Sequence, residues 1–94
     1  MKILTVCGAG LGSSLILRIG VEQALRDMGV KAQVEAMDGS WAASTPADLI
    51  ITGPHMVKLL SGIKTPIVVV KNFVSKAEIR EKLQEYFRQK GIAC

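Results

Sequence analysis

Apolar positions along the chain fall into four short runs and three longer stretches of helical spacing. Residues 2–7 (KILTVC) form the first run and lead into glycines, the pattern of a strand that ends in a turn. From about Ser13 the spacing becomes helical, with Leu15, Ile16, Ile19, Leu25 and Met28 on the expected apolar stripe and Gly29 as the stop. Residues 31–37 (KAQVEAM) alternate polar and apolar, as a strand with one less buried face does. Asp38-Gly39-Ser40 reads as a turn and Trp41 to Pro46 as a loop or short helical segment. Residues 48–52 (DLIIT) are a buried strand. A second helix is expected from Gly53-Pro54, with Met56, Val57, Leu59 and Leu60 inside it and Gly62 as its end. Residues 66–70 (PIVVV) are the fourth strand, with proline tolerated at its first position. Ser75 and Glu78 have the spacing of a capping box for a last helix, whose apolar face is Ile79, Leu83, Tyr86 and Phe87 and whose stop is Gly91.

Strands that alternate with helices call for a parallel sheet with helices on both faces. The expectation is an α/β fold, one three-layer domain over residues 1–94. Right-handed crossovers favour the strand order 2-1-3-4. That order puts the first strand at the centre. Ligands of such sheets bind beyond the C-terminal ends of the strands, where Cys7 falls.

Composition narrows the class of partner. With 94 residues the chain has room for one core, and only four of them are aromatic. The formal net charge of +4 is modest, and the twelve basic residues are scattered among acids, unlike a nucleic-acid surface. The residual positive bias favours anionic ligands or an acidic partner. No apolar run approaches the ~20 residues of a membrane span, and the run after Lys2 is too short for a signal peptide. A cytoplasmic protein with reduced cysteines is expected. One histidine and two distant cysteines cannot make a metal site, so neither metal nor cofactor is expected.

The chemistry concentrates in CGAGLGSS, residues 7–14. Glycines at 8, 10 and 12 let successive backbone N–H groups turn inward as an anion nest. The helix that follows adds its free N-terminal N–H groups and the positive end of its dipole. Ser13 or Ser14 is suited to cap that helix and donate a hydroxyl proton to an oxyanion. The same field lowers the pKa of a thiol from its free value of ~8.5, so Cys7 is a candidate thiolate nucleophile. Gly8, Ala9, Gly10, Leu11, Gly12, Ser13 and Ser14 are the candidate phosphate cradle, a P-loop-like turn after the first strand. Competing glycine motifs fail on residues. The dinucleotide fingerprint needs glycine where Ser13 stands, and a Walker A loop needs a lysine that residues 7–14 lack. Cysteine phosphatases follow C-x5-R-S/T, and here Ser13 replaces the arginine that would steady the transition state. The segment 71–75 (KNFVS) supplies no general acid either. Such a loop accepts a phosphoryl group but is poorly equipped to hydrolyse it.

With KILTVCGAGLGSS, the Thr52-Gly53-Pro54-His55 turn and the Lys71-Asn72 stretch before the last helix, the chain resembles the IIB components of the bacterial phosphoenolpyruvate-dependent sugar phosphotransferase system (PTS). It is most similar to the ascorbate type, with the galactitol and lactose types more distant. The resemblance implies that Cys7 takes phosphate from a phosphohistidine on IIA and passes it to a sugar bound in the membrane component IIC. It also implies that the missing arginine protects a phosphocysteine from waste. A cysteine phosphatase or arsenate-reductase-like enzyme is the alternative, and a regulatory IIB-like module a third reading.

The other candidates stay open at this point. His55 either faces the phosphocysteine as a second-shell group or is a partly exposed residue of a helix's first turn. Trp41 is either a core anchor or part of a docking surface. Cys94, beyond the last helix stop, is expected to be inert. Topology puts Leu11, Leu15 and Met56 on the surface that meets IIA and IIC, with Lys58 or Lys71 at its rim.

Overall fold

All strand pairings are parallel, which an apolar strand–helix alternation requires. A computed structural model describes residues 1–6, 11–37, 44–58, 60 and 62–91, with backbone alone at 11–14 and 55. The strands are β1 (Lys2–Val6), β2 (Gln33–Met37), β3 (Leu49–Thr52) and β4 (Ile67–Val69), in the order β2-β1-β3-β4. The helices are α1 (Leu11–Met28) and α2 (Lys76–Lys90), with a 3-10 turn at Pro54–Met56. The expected order 2-1-3-4 is therefore the one observed.

The period of two along the strands divides the interior into two cores. Ile3, Val34, Leu49 and Ile51 point to the face covered by α1 and α2, where Leu17, Val21, Leu25, Ile79, Leu83 and Phe87 complete the larger core. Leu4, Val6 and Ile50 point the other way, against Met56 and Leu60. Both described α-helices thus share one face of the sheet, and the 3-10 turn with its continuation covers the other.

Three local expectations need correction. The first concerns α1, where Leu15, Ile16 and Ile19 are 44%, 49% and 56% exposed. Leu25 and Met28 join the larger core as expected, but in the earlier turns the buried positions are Leu17, Val21 and Ala24 instead. Secondly, helical structure after Gly53 is confined among the described residues to the single turn Pro54–Met56. Gly53 has no side chain to cap it and Pro54 has no N–H to donate, so this helix start is weak. Leu59 lies outside the described residues. Thirdly, α1 opens at Leu11, two residues before Ser13, so Ser13 and Ser14 fall within the first turn and are not its cap.

Gly20 of α1 lies at a close contact with α2: a β-carbon there would stand 2.7 Å from Ile79 Cδ1. Gly29 and Gly91, at φ 72° and 74°, terminate α1 and α2 in the left-handed region as read from the sequence.

Candidate functional site

The register aligns the C-terminal ends of the strands: Val6 lies opposite Met37 on one side and Thr52 on the other, and Thr52 opposite Val69. At this edge the central strand ends one residue before Cys7. Four residues, Cys7 to Gly10, separate the end of β1 from the first residue of α1. The backbone N–H groups of that first helical turn have no partner within the helix, which is the physical basis of anion binding at such a place. Cys7, Gly8, Ala9 and Gly10 lie outside the described residues, as do the side chains of Leu11, Gly12, Ser13 and Ser14. Trp41 and Cys94 lie outside them too.

Two polar side chains brace this edge from below and beside. The wholly buried Thr52 hydroxyl donates to the Val6 carbonyl at 2.8 Å, tying β3 to the peptide that leads into Cys7. A hydroxyl amid Leu49-Ile50-Ile51 was the sequence signal for a specific partner, since a buried polar group needs one. At the neighbouring corner the Glu78 carboxylate accepts from two consecutive amides, Lys71 N–H at 2.7 Å and Asn72 N–H at 3.0 Å. The Lys71 amide bond is the main cause that holds the Glu78 carboxyl below its ordinary 4.5; partial desolvation opposes it, and Asn72, Lys82 and Lys71 reinforce it.

The capping box expected at Ser75 and Glu78 is accordingly half formed. Ser75 is the cap and its hydroxyl accepts from Glu78 N–H at 3.3 Å. Glu78 does not return the bond, because Ser75 N–H already donates to the Asn72 carbonyl. The carboxylate instead clamps the loop between β4 and α2. The Asn72 side chain closes the loop further by accepting from Val74 N–H at 3.1 Å.

Of the remaining sequence candidates, His55 has its backbone in the 3-10 turn three residues beyond Thr52, on the strand next to β1. Its side chain is outside the described ones. Met56 is 2% exposed and belongs to the smaller core, so it is not a docking residue. It lost that role because the tight turn folds back under the sheet. Leu15, Lys58 and Lys71 are exposed, as a docking surface requires. Hollows lined by Glu22, Gly29 and Lys31, and by Met1, Gln33 and Asp48, open at the opposite edge of the sheet. Among the described residues there is no group of His, Cys, Asp and Glu that could hold a metal ion, and no helix long and apolar enough to cross a membrane.

Comparisons with known proteins agree with this layout. The lactose-specific IIB component domain of the phosphoenolpyruvate:carbohydrate phosphotransferase system from Streptococcus pneumoniae superposes with a TM-score of 0.61 at 19% identity, over 94% of this chain and 95% of that one. A low molecular weight protein tyrosine phosphatase from Bacillus subtilis shares the fold at a TM-score of 0.56 and 10% identity, over 97% and 99%. In sequence, an ascorbate-specific PTS EIIB component from Mycoplasma pneumoniae is 32% identical over 88 residues, 90% of this chain and 93% of that protein. Its counterpart in Salmonella typhimurium is 33% identical over 92 residues, 95% and 91%. The family described as "PTS system, Lactose/Cellobiose specific IIB subunit" matches residues 2–85. The chain belongs to the PTS IIB family, phosphotransferase subunits that carry a phosphoryl group on its way to a sugar.

Proposed function

We propose that Cys7 is the atom-level carrier: its thiolate takes the phosphoryl group from a phosphohistidine on a IIA component and gives it to a sugar bound in the membrane component IIC. The observation that supports this best is the gap of only four residues, with Cys7 the first of them, between the end of β1 and the start of α1, a helix whose first amides have no partner within it. Residues 1–94 act as one domain in this reading. Gly8, Ala9, Gly10, Leu11, Gly12, Ser13 and Ser14 hold the phosphoryl oxygens, and His55 stands beside them.

The chemistry balances without a cofactor. The Cys7 sulfur attacks phosphorus in line, an S–P bond forms as the N–P bond breaks, and the donor histidine leaves as neutral imidazole once its ring is protonated. In the second step a sugar hydroxyl attacks phosphorus, loses its proton and expels the thiolate. Both steps take place on the cytoplasmic side, where the donor is. The relatives named for ascorbate make ascorbate or a related sugar acid the preferred final acceptor.

Incubation with phosphoenolpyruvate, the two general phosphotransfer proteins and a cognate IIA is expected to add about 80 Da, one phosphoryl group. Cys7→Ser should abolish the addition and Cys94→Ser should leave it intact. Label accepted by Cys7→Ser at the wild-type rate, or rapid hydrolysis of an aryl phosphate by the wild type, refutes the proposal.

A further inference from the structure

The misplaced stripe of α1 leaves three aliphatic side chains, Leu15, Ile16 and Ile19, on the surface. A fourth joins them from another element. The Phe73 carbonyl passes 3.9 Å from a β-carbon built on Gly20, so the β4–α2 loop lies along α1 there. Ile16 is one turn before Gly20 on the same side of the helix. Val74, the next residue of that loop, is 69% exposed.

Val74 is not exposed because its loop is loose. Glu78 fixes the amides of Lys71 and Asn72, Asn72 accepts from the Val74 amide, and Ser75 donates to the Asn72 carbonyl. Four hydrogen bonds thus hold an apolar side chain out into water, where it gains nothing for the folded chain alone. A preorganised apolar anchor loses little entropy when a partner covers it.

We infer that Leu15, Ile16, Ile19 and Val74 form the surface on which the soluble phosphohistidine donor docks, and that the donor's matching surface is apolar with an acidic rim. This rests on the carrier reading above, because it is that reading which requires a protein donor at this edge of the sheet. Continuity supports it: α1 begins right after the Cys7 loop, and Val74 lies just past the C-terminal end of β4. Size excludes a second copy as the occupant. Four partly exposed side chains offer on the order of a few hundred Å², well short of the ~800 Å² per partner of a stable interface. A carrier that must bind and release needs the smaller figure.

Charge selects between donor and membrane acceptor. Lys71 and Lys76 are exposed on either side of Val74, and the whole chain carries +4. Cytoplasmic loops of membrane proteins are enriched in Lys and Arg, which this rim would repel. An acidic soluble protein suits it.

The test measures phosphoryl uptake by Ile16→Asp, Ile19→Asp and Val74→Asp from phosphorylated IIA, together with binding of unphosphorylated IIA to the same variants. All three positions are exposed, and unchanged thermal unfolding verifies that the variants fold. About a tenfold or greater loss of donor affinity is expected, while Lys31→Asp, exposed at the opposite edge of the sheet, should bind as the wild type does. Lys71→Glu with Lys76→Glu should slow association and flatten its salt dependence. As a check that needs no variant, amide shifts on adding IIA to the wild type should cluster on residues 15–20 and 71–76. Wild-type uptake in the patch variants overturns the docking proposal and leaves Cys7 as carrier. Normal uptake combined with lost transfer to the membrane acceptor also overturns it. Failure of the carrier reading has a different signature, donor binding intact with no phosphoryl group on Cys7.

Discussion

Replacing Gly20 by alanine sets two known effects against each other at one position. Alanine inside a helix is favoured over glycine by about 1 kcal/mol. The new methyl, however, would stand 2.7 Å from Ile79 Cδ1, whereas carbons rest at about 3.5–4.0 Å. One of the two groups must yield by roughly 1 Å. Ile79 is wholly buried against Leu17, Val21 and Phe87, so its terminal methyl has little room to swing. Overpacking of this kind costs about 1–3 kcal/mol, which leaves Gly20→Ala destabilised by about 1 kcal/mol after the propensity gain. Ile79→Val deletes the opposing methyl and alone costs about 0.5–1.5 kcal/mol. In the double variant the alanine methyl fills the space that Cδ1 vacated. Its stability is expected to return to within about 0.5 kcal/mol of the wild type, a coupling of about 2 kcal/mol between two residues on different helices. Urea unfolding followed by far-UV circular dichroism measures all four corners, and each 1 kcal/mol should shift Tm by about 4–8 °C. Additive losses within about 0.5 kcal/mol, or a Gly20→Ala variant more stable than the wild type, refute the claim that Gly20 is required by close helix contact.

Two further outcomes follow from the braces at the C-terminal edge. Thr52→Val keeps the volume but leaves the Val6 carbonyl without its 2.8 Å donor; a loss of about 1–3 kcal/mol is expected, with slower phosphorylation at Cys7, measured by quenched uptake of label. The Glu78 carboxyl titrates lower in the folded chain than unfolded, so its contribution is present at neutral pH and is lost as pH falls below 4.5 through the folded value. Glu78→Gln should lower Tm near pH 7 and flatten its decline on acidification, and an unchanged pH profile would refute the clamp.

Strand order and the helix that follows β1 were legible because they rest on the alternation of element types and on residues with special backbone demands. The buried face of α1 was not. Leu15, Ile16, Leu17, Ile19 and Val21 crowd two turns with apolar side chains, and either stripe satisfies the helical period. Only the place of the sheet decides that Leu17 and Val21 go in and Leu15, Ile16 and Ile19 stay out. Glu78 shows a second limit. Its spacing from Ser75 announced a cap, but its real partners are the amides of Lys71 and Asn72, brought within reach by the turn of the chain between them. The helix expected after Gly53 failed for a third reason, since Met56 and Leu60 satisfy the smaller core from a turn as well as from a helix.

An all-parallel sheet also constrains how the chain reaches its native state. Parallel neighbours cannot be joined by a tight hairpin, so each ladder closes a long loop before its hydrogen bonds offset the entropy lost. β3 and β4 have the shortest such closure, pairing Ile50 with Ile67, whereas β1 pairs with partners as remote as Val34 and Leu49. The strand that leads into Cys7 is therefore the one whose pairing depends on the most distant parts of the chain. A truncated or half-folded chain lacks the ordered end of β1 that precedes Cys7, and if Cys7 is the carrier as proposed, such a chain is expected to take no phosphoryl group from the relay.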